Sequence, residues 1–173
     1  MKKILLTLSF FICLIIFNSE NNIKAYDGGE EKVISLQNDS LNEKNIYIAL
    51  IMNDIKYPEV VLSQIMIETG NLTSKLCKIN NNLLGMTVPS KRETTALNNK
   101  GFAKYENWFS SILDYKLYQD FVFSHKNITN KKQYIAYLHK NYAKSPTYKN
   151  KLTNLSNKYE LRNSYNIMFY TNL

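Results

Sequence analysis

The sequence predicts a mainly α (α+β) fold in a single domain, because apolar residues recur at helical spacing along most of the chain. The length of 173 residues suits one domain with its own core. Glycine is scarce, at 5 residues, and 45% hydrophobic against 21% charged residues excludes a disordered composition. Neither an internal repeat nor a second composition regime divides the chain.

Residues 1–25 have the form of a secretory signal peptide. Lys2 and Lys3 precede an almost wholly apolar run from Ile4 to Phe17, and Ala25 supplies a small residue for cleavage. The run is short for a bilayer span, so an N-terminal anchor is the alternative if the segment stays uncleaved. We therefore expect a protein that is secreted or held in the cell envelope, with membrane contact only through an uncleaved signal segment.

The helices are predicted in order along a domain that spans residues 43–160. Pro58 suits the first turn of a helix, Gly70 can end it, and Asn107 can cap a later one. Apolar spacing then places helices at Glu43–Ile55, Pro58–Thr69, Trp108–Phe123, Lys131–Tyr142 and Thr147–Tyr159.

Three segments lack this periodicity. Residues 26–42 are polar, which predicts a flexible lead-in. Residues 71–104 are polar and irregular, which predicts a small irregular or β-hairpin lobe. Residues 161–173 form a C-terminal tail whose pattern is ambiguous.

The charge and the reactive side chains limit the classes of partner. A net charge of +8 suits a polyanion such as a cell-envelope polymer, and scattered charge for solubility explains it equally well. The basic residues follow no nucleic-acid motif, so we expect no nucleic-acid partner. Cys13 lies in the signal segment, which leaves Cys77 alone as a buried thiol. The spacing of cysteine and histidine predicts no metal site, nothing predicts a cofactor, and we expect a monomer.

A lone acid, Glu68, stands in the apolar helix that begins at Pro58. Helical spacing places Gln64, one turn earlier, on the same face. Burial and the negative partial charge of the nearby helix C-terminus should both raise the pKa of Glu68. A carboxyl that stays protonated near neutral pH can give a proton to a leaving oxygen, so Glu68 is a candidate general acid. A partly exposed glutamate at the edge of an amphipathic helix is the alternative.

A cluster of asparagines follows that helix. Asn80, Asn81 and Asn82 precede an apolar pair and a glycine. Amides both give and accept hydrogen bonds without charge, which suits hydroxyl-rich or acetamido ligands. An ordinary loop in an Asn-rich chain is the alternative.

Several segments in chain order form a composite motif. They are Ile55–Gln64, Glu68-Thr69-Gly70 with Ser74, Asn81–Met86 (NNLLGM), Arg92–Ala96, Gly101–Gln119 and Asn141–Leu152. In this order and spacing they resemble the bacterial glucosaminidase-domain autolysins, the mannosyl-glycoprotein endo-β-N-acetylglucosaminidase-like domain. The resemblance covers roughly residues 44–158.

The resemblance implies a lysozyme-like fold and hydrolysis of peptidoglycan glycan strands between N-acetylglucosamine and N-acetylmuramic acid. Glu68 falls on the catalytic acid of the family. The resemblance implies substrate contact, or help at the reacting centre, for Tyr142 and Tyr148. It also implies that the paired Asn81 and Asn82 shape the cleft floor. The other residues that we assign to substrate binding are Gln64 and Tyr105.

The second catalytic group is left open by the sequence. Glycosidases usually pair their acid with a base or nucleophile roughly 5–10 Å away. Glu93 is the candidate, ahead of Glu106, although a solvated loop glutamate is the simpler interpretation. The acetamido group of the substrate could act instead. Three departures from the family pattern are Leu84 where phenylalanine is frequent, Ala103 where arginine is frequent, and Asn71-Leu72 where an aromatic residue is common.

Three hypotheses about function follow. The first is a secreted glycosidase that acts on peptidoglycan, with Glu68 as the general acid. The second is a cell-envelope glycan-binding module that has lost the chemistry, which the absence of a clear second acid motivates. The third is an envelope interaction protein whose helices serve only a partner.

Overall fold

The structure, a computed structural model, describes residues 39–142 and 145–170. The described residues form six helices and one isolated β-bridge, so the mainly α prediction is confirmed. In chain order the helices are α1 (Glu43–Met52), α2 (Pro58–Glu68), α3 (Lys75–Asn80), α4 (Trp108–His125), α5 (Lys131–Asn141) and α6 (Pro146–Tyr170).

Side-chain caps explain where four of these helices begin. In each case an Asn or Ser side chain accepts a hydrogen bond from the backbone N–H three residues later, at 2.9–3.2 Å. The cap satisfies one of the N–H groups that a helix N-terminus leaves without a partner, which stabilises the helix by about 1 kcal/mol. The caps are Asn42 for α1, Ser74 for α3, Asn107 for α4 and Asn130 for α5.

Helix α2 is the central helix of the domain and packs against α1 and α6. Every residue from Val60 to Met66 is buried, including Ser63 and Gln64. Burying an aliphatic side chain stabilises the fold by roughly 1.5–3 kcal/mol, so this helix anchors the core. Burial lessens in the last turn of α2, at Ile67 and Glu68, which are half-buried. The predicted general acid therefore lies where the central helix meets the edge of the core.

The polar section between α2 and α4 contains little regular structure, as predicted. Its one extended pairing is the antiparallel bridge between Thr87 and Phe102. Hydrogen bonds from Ala103 N to Met86 O and from Val88 N to Gly101 O, both 2.9 Å, extend this contact. The prediction did not include α3, because six residues are too few to show a helical repeat. Cys77 is buried in this short helix, and burial raises the pKa of its thiol.

The two ends of the predicted domain differ in what the structure describes. The predicted signal peptide, residues 1–25, and the lead-in up to residue 38 lie outside the described residues. At the end of the lead-in, the indole nitrogen of Trp108 donates to Asp39 O at 3.0 Å. The last helix continues to Tyr170, eleven residues past the predicted end at Tyr159. No helix of the described chain has the length and hydrophobicity needed to cross a membrane.

Candidate active site

The carboxyl of Glu68 is held at a helix end whose geometry is fixed by Thr69. The Thr69 hydroxyl donates to Ile65 O at 2.6 Å and accepts from Leu72 N at 2.9 Å. Gly70 then takes a φ of +55°, which glycine adopts without strain, and the chain turns sharply away from the helix axis. Because the chain leaves the helix here, the Glu68 side chain stays at the border between core and solvent.

The environment of Glu68 favours its neutral form. Burial raises the pKa of this carboxyl, and an interaction with the Tyr148 hydroxyl lowers it by a smaller amount. No lysine or arginine within the described ranges forms an ion pair with Glu68. The raised pKa therefore comes from desolvation that no cation offsets, which is the environment that a general acid needs.

Two tyrosines that follow α4 in the chain, Tyr142 and Tyr148, interact electrostatically with Glu68. The Tyr148 hydroxyl is buried and has no hydrogen bond of ordinary geometry to any described residue, so its contact with Glu68 is a weak one. Tyr142 donates to Leu84 O at 2.7 Å, and its oxygen also lies 2.9 Å from Met86 Sδ. Burial raises the pKa of both phenols, and the charge of Glu68 raises it further. The structure thus brings Glu68, Tyr142 and Tyr148 together.

A pocket of about 480 Å³ adjoins this group. One wall is the segment Gly85–Arg92, and the facing wall comes from α4, α5 and Tyr142. Glu68 does not line the pocket itself. Tyr142 connects the two, because it lines the pocket and the charge of Glu68 raises the pKa of its hydroxyl. The aromatic residues of the pocket are Tyr118, Phe121, Tyr137 and Tyr142.

The pocket wall is held in place by Asn82, which is buried. Its side-chain nitrogen donates to Met86 O and to Ala103 O, both at 2.9 Å, and its oxygen accepts from Met86 N at 3.0 Å. Asn81 adopts a left-handed φ of +52° and donates to Tyr105 O at 3.1 Å. Both amides therefore bind backbone groups within the protein and join the segment after α3 to the segment before α4.

Gln64 lies wholly inside the core, beneath Glu68. Its Oε1 accepts from the Tyr115 hydroxyl at 2.8 Å, and Nε2 has no partner among the described residues. Because an amide oxygen can only accept, the proton of Tyr115 must point to Gln64. The Tyr134 hydroxyl, 2.6 Å away, then donates to Tyr115 and accepts from Gln119 Nε2 at 2.9 Å. Gln64 thus ends a hydrogen-bond chain of fixed direction.

No hydrogen bond between described residues joins Tyr105 or Glu93 to Glu68 or Tyr148. Tyr105 is buried and donates to Asp114 Oδ2 at 2.7 Å. Glu93 is exposed and does not line the pocket.

The sequence analysis did not single out Asp114, which is fully buried. Arg92 binds it with both guanidinium nitrogens, at 2.8 and 3.2 Å. Burial alone would raise the pKa of Asp114, but the hydrogen bonds from Arg92, Tyr105 and Thr94 and the charge of Arg92 together lower it. The signal was present in the sequence, because Asp114 is a lone acid between apolar residues, as Glu68 is. Across the described residues, no three His, Cys, Asp or Glu side chains cluster as a metal site requires.

The chain is similar to known proteins in its sequence and in its fold. The model of the glucosaminidase family, described as mannosyl-glycoprotein endo-beta-N-acetylglucosaminidase, matches residues 43–161, which confirms the resemblance found in the motifs. The mainly helical structure agrees with the lysozyme-like fold that the resemblance implies. A search of curated proteins gives no match. Among solved structures, the chain is similar to the catalytic domain of the autolysin Auto from Listeria monocytogenes, at 20% identity with a TM-score of 0.49. That similarity covers 82% of this chain and 98% of that one.

Proposed function

The chain belongs to the glucosaminidase family, and we propose that it is a peptidoglycan hydrolase that cleaves the glycan strand at β-1,4-linked N-acetylglucosamine. Glu68 is the general acid in this proposal. One observation carries it: Glu68 is a carboxyl with a raised pKa and no cationic partner among the described residues, and its charge raises the pKa of Tyr142, which lines a pocket with aromatic walls. Aromatic rings stack on the apolar faces of sugars, and a protonated carboxyl supplies the proton that a glycosidic oxygen needs to leave.

The proton transfer follows from the environment of Glu68. The protonated carboxyl gives its proton to the bridging oxygen as the bond from the anomeric carbon to that oxygen breaks. The carboxylate that remains receives a hydrogen bond from the Tyr148 hydroxyl, which has no other partner of ordinary geometry among the described residues. In the second step a water attacks the anomeric carbon and returns a proton to Glu68, which restores the acid.

The group that stabilises the anomeric carbon between these steps is the acetamido group of the substrate or Glu93. In the first case the acetamido oxygen bonds to the anomeric carbon as the leaving group departs, and water later breaks this bond. The exposure of Glu93 and its absence from the pocket lining favour the acetamido route.

The residues that the sequence assigns to substrate binding divide into two groups in this proposal. Tyr142 and Tyr148 contact the substrate or the reacting centre, since the charge of Glu68 raises the pKa of both phenols. Gln64, Asn82 and Tyr105 are buried, so their contribution is to support the cleft from behind. Export by the segment 1–25 would bring the enzyme to the cell wall or the surrounding medium, where its substrate lies.

An inactive glycan-binding module of the cell envelope is the second candidate. It is favoured by one observation, which is that no acid occurs among the described residues that line the pocket. Such a module would keep the aromatic walls and bind the strand without cleaving it.

The test is the isosteric substitution Glu68→Gln, with Asp54→Asn as a control on an exposed carboxylate outside the pocket. Reducing ends released from purified peptidoglycan should fall about 10²–10⁴-fold for Glu68→Gln and stay unchanged for Asp54→Asn. Mass spectrometry of the fragments gives the sugar at the reducing end and so the bond cleaved. Full activity in Glu68→Gln would overturn the assignment. Wild-type protein that binds insoluble peptidoglycan but releases no reducing ends would establish the binding module.

A further inference from the structure

The net positive charge of the chain comes from one segment, residues 121–159. This segment contains eight lysines and neither aspartate nor glutamate. Since the whole chain has 22 Lys+Arg and 14 Asp+Glu, the residues outside the segment hold 14 basic against 14 acidic side chains and are neutral in sum. Charge that serves only solubility is mixed in sign over a protein surface. The concentration of one sign in this segment therefore indicates a surface for a negatively charged partner.

The segment forms the end of α4, the helix α5 and the first part of α6, and α5 packs against α6. One of its lysines, Lys131, is neutralised within the protein, because its ammonium lies 2.7 Å from Glu160 and 3.4 Å from Glu59. Six others are exposed and form no ion pair with an acid in the described parts of the chain. They are Lys126, Lys132, Lys140, Lys149, Lys151 and Lys158.

Helix α5 carries two of these lysines on its outer face. Lys132, Ala136 and Lys140 recur every four residues and are all exposed, so they lie along one side of the helix. At a rise of 1.5 Å per residue, the two lysines stand about 12 Å apart along the helix axis. The residues of α5 that line the pocket, Tyr137 and Asn141, belong to another flank of the helix. The basic face formed by Lys132, Ala136 and Lys140 is thus separate from the pocket.

The composition of this surface favours a soluble polymer over a membrane or a nucleic acid. No large apolar side chain is exposed among the described residues 126–160, whereas a helix that lies on a bilayer buries an apolar face in it. No exposed residue of the described helix α5 is aromatic, so a base would find no ring to stack on. The six free cations are all lysines, which bind phosphate as point charges without the fixed fork of arginine. Such a surface suits a flexible chain with repeated negative charges.

We propose that the basic face of α5, together with the lysines of α6, binds a linear polyanion whose backbone contains phosphodiester groups. This inference goes beyond the proposed hydrolysis, because it involves neither Glu68 nor the residues that line the pocket. The polymer holds the protein on an anionic cell wall, while the pocket on the other flank of α5 stays free for the glycan strand. The attraction is electrostatic, so the affinity falls as the salt concentration rises.

A titration of the full chain with fluorescent poly(glycerol phosphate) at several salt concentrations tests this proposal. The double variant Lys132→Gln with Lys140→Gln should bind about tenfold more weakly at low salt. Its plot of log affinity against log salt concentration should also be shallower by about 1.4, since each lost phosphate contact accounts for about 0.7. This change in slope distinguishes lost charge contacts from a general loosening of the fold.

The matched control is Lys75→Gln with Lys78→Gln, which removes two exposed lysines from α3. It changes the net charge by the same amount and should leave both the affinity and the slope as in the wild type. Equal melting temperatures of the three proteins verify that folding is unaffected. Unchanged binding in the α5 variant, or an equal loss in the α3 variant, would overturn the assignment to α5.

Two further probes test the class of partner, and one assay separates the site from catalysis. Vesicles that contain anionic phospholipid and duplex DNA are titrated at equal phosphate concentration. Tighter binding of either probe, or no binding of poly(glycerol phosphate) by the wild type, would overturn the polymer as the partner. Release of reducing ends from soluble glycan fragments should be equal in the wild type and the α5 variant. A fall in this release would show that Lys132 and Lys140 serve the pocket and would overturn a separate site.

Discussion

The hydroxyl of Tyr148 lies against the carboxyl of Glu68, and each group changes the pKa of the other. Burial raises the pKa of Glu68, and the interaction with Tyr148 lowers it in part. The charge of Glu68 in turn adds to the effect of burial in raising the pKa of Tyr148. Because a general acid must be protonated, the proposed role of Glu68 predicts that Tyr148 lowers the pH above which activity is lost.

Tyr148→Phe should move the alkaline limb of the pH–activity profile to higher pH. The substitution removes the hydroxyl that stabilises the Glu68 carboxylate, so the pKa of Glu68 rises and the acid stays protonated at higher pH. The folded state should lose little stability, since this hydroxyl has no ordinary hydrogen bond with a described residue. The measurement is kcat/KM on soluble glycan fragments across the pH range, beside thermal unfolding.

Tyr159→Phe is the matched control for this experiment. Tyr159 lies on the same helix, α6, and donates to Glu43 at 2.8 Å. Its loss should lower the free energy of unfolding by about 1 kcal/mol and leave the alkaline limb in place. If the limb stays in place in Tyr148→Phe as well, Tyr148 does not control the protonation of Glu68.

Glu68→Gln should make the protein more stable than the wild type at neutral pH. The pKa of Glu68 in the folded protein is higher than its unfolded value of 4.5. The favourable contribution of the protonated carboxyl is therefore fully present below pH 4.5 and is lost as the pH rises through the folded pKa. Glutamine never ionises, so the stability of Glu68→Gln relative to the wild type should increase as the pH rises through the folded pKa of Glu68. Urea unfolding of both proteins at several pH values measures the difference between their free energies of unfolding. A difference that grows toward low pH would contradict a raised pKa of Glu68 in the folded protein.

The sequence predicted several helix ends well, because residues at or next to those ends specify them. Pro58, Gly70 and Asn107 act on the backbone next to them, so helix ends near these residues were predicted within about two positions. The prediction missed α3, because six residues do not complete two turns. It also placed the end of α6 too early, since residues past Tyr159 show no clear apolar repeat.

In the candidate site, too, the sequence predicted the features that depend on neighbouring residues and missed those that depend on residues far apart in the chain. Helical spacing places Glu68 at the edge of an apolar face, and burial raises its pKa as predicted. The Arg92–Asp114 pair joins residues 22 positions apart, and the pocket draws Tyr118 and Tyr137 from different helices. No pattern within one element specifies such contacts, because they depend on how the helices pack.

Asp114→Asn should destabilise the fold by about 3 kcal/mol at neutral pH. The change leaves the guanidinium of Arg92 almost fully buried without a countercharge. Because the pKa of Asp114 is lowered in the folded protein, the stability it contributes is present above its unfolded value of 3.8 and is lost as the pH falls through the folded pKa. The difference between the two proteins in urea unfolding should therefore shrink in acid.

The control for that prediction is Asp120→Asn on the same helix. Asp120 pairs with Lys116 at the surface, where its side chain is 59% exposed. Removing an exposed pair of this kind should change the free energy of unfolding by about 0.5 kcal/mol. Equal effects from the two substitutions would show that the Arg92–Asp114 pair does not anchor the pocket wall.

The buried pair Gln64 and Tyr115 allows a test of whether Gln64 supports the site or contacts the substrate. Tyr115→Phe leaves Gln64 Oε1 without its donor, which should lower the free energy of unfolding by about 1–3 kcal/mol. Gln64→Leu leaves the Tyr115 hydroxyl without its acceptor, but it also removes an Nε2 that has no partner among the described residues, so it should cost less. The double variant should lose less stability than the sum of the single variants, because neither partner is left alone.

Kinetics on the same variants decides the question. A supporting role predicts that KM stays within about twofold in Gln64→Leu, while kcat falls as the helix turn under Glu68 loosens. A contact with the substrate predicts the opposite, a KM that rises with kcat almost unchanged, because the lost interaction is then shared by ground state and transition state. Since Gln64 is wholly buried one turn below Glu68, we expect the fall in kcat, and a selective rise in KM would place Gln64 among the binding residues after all.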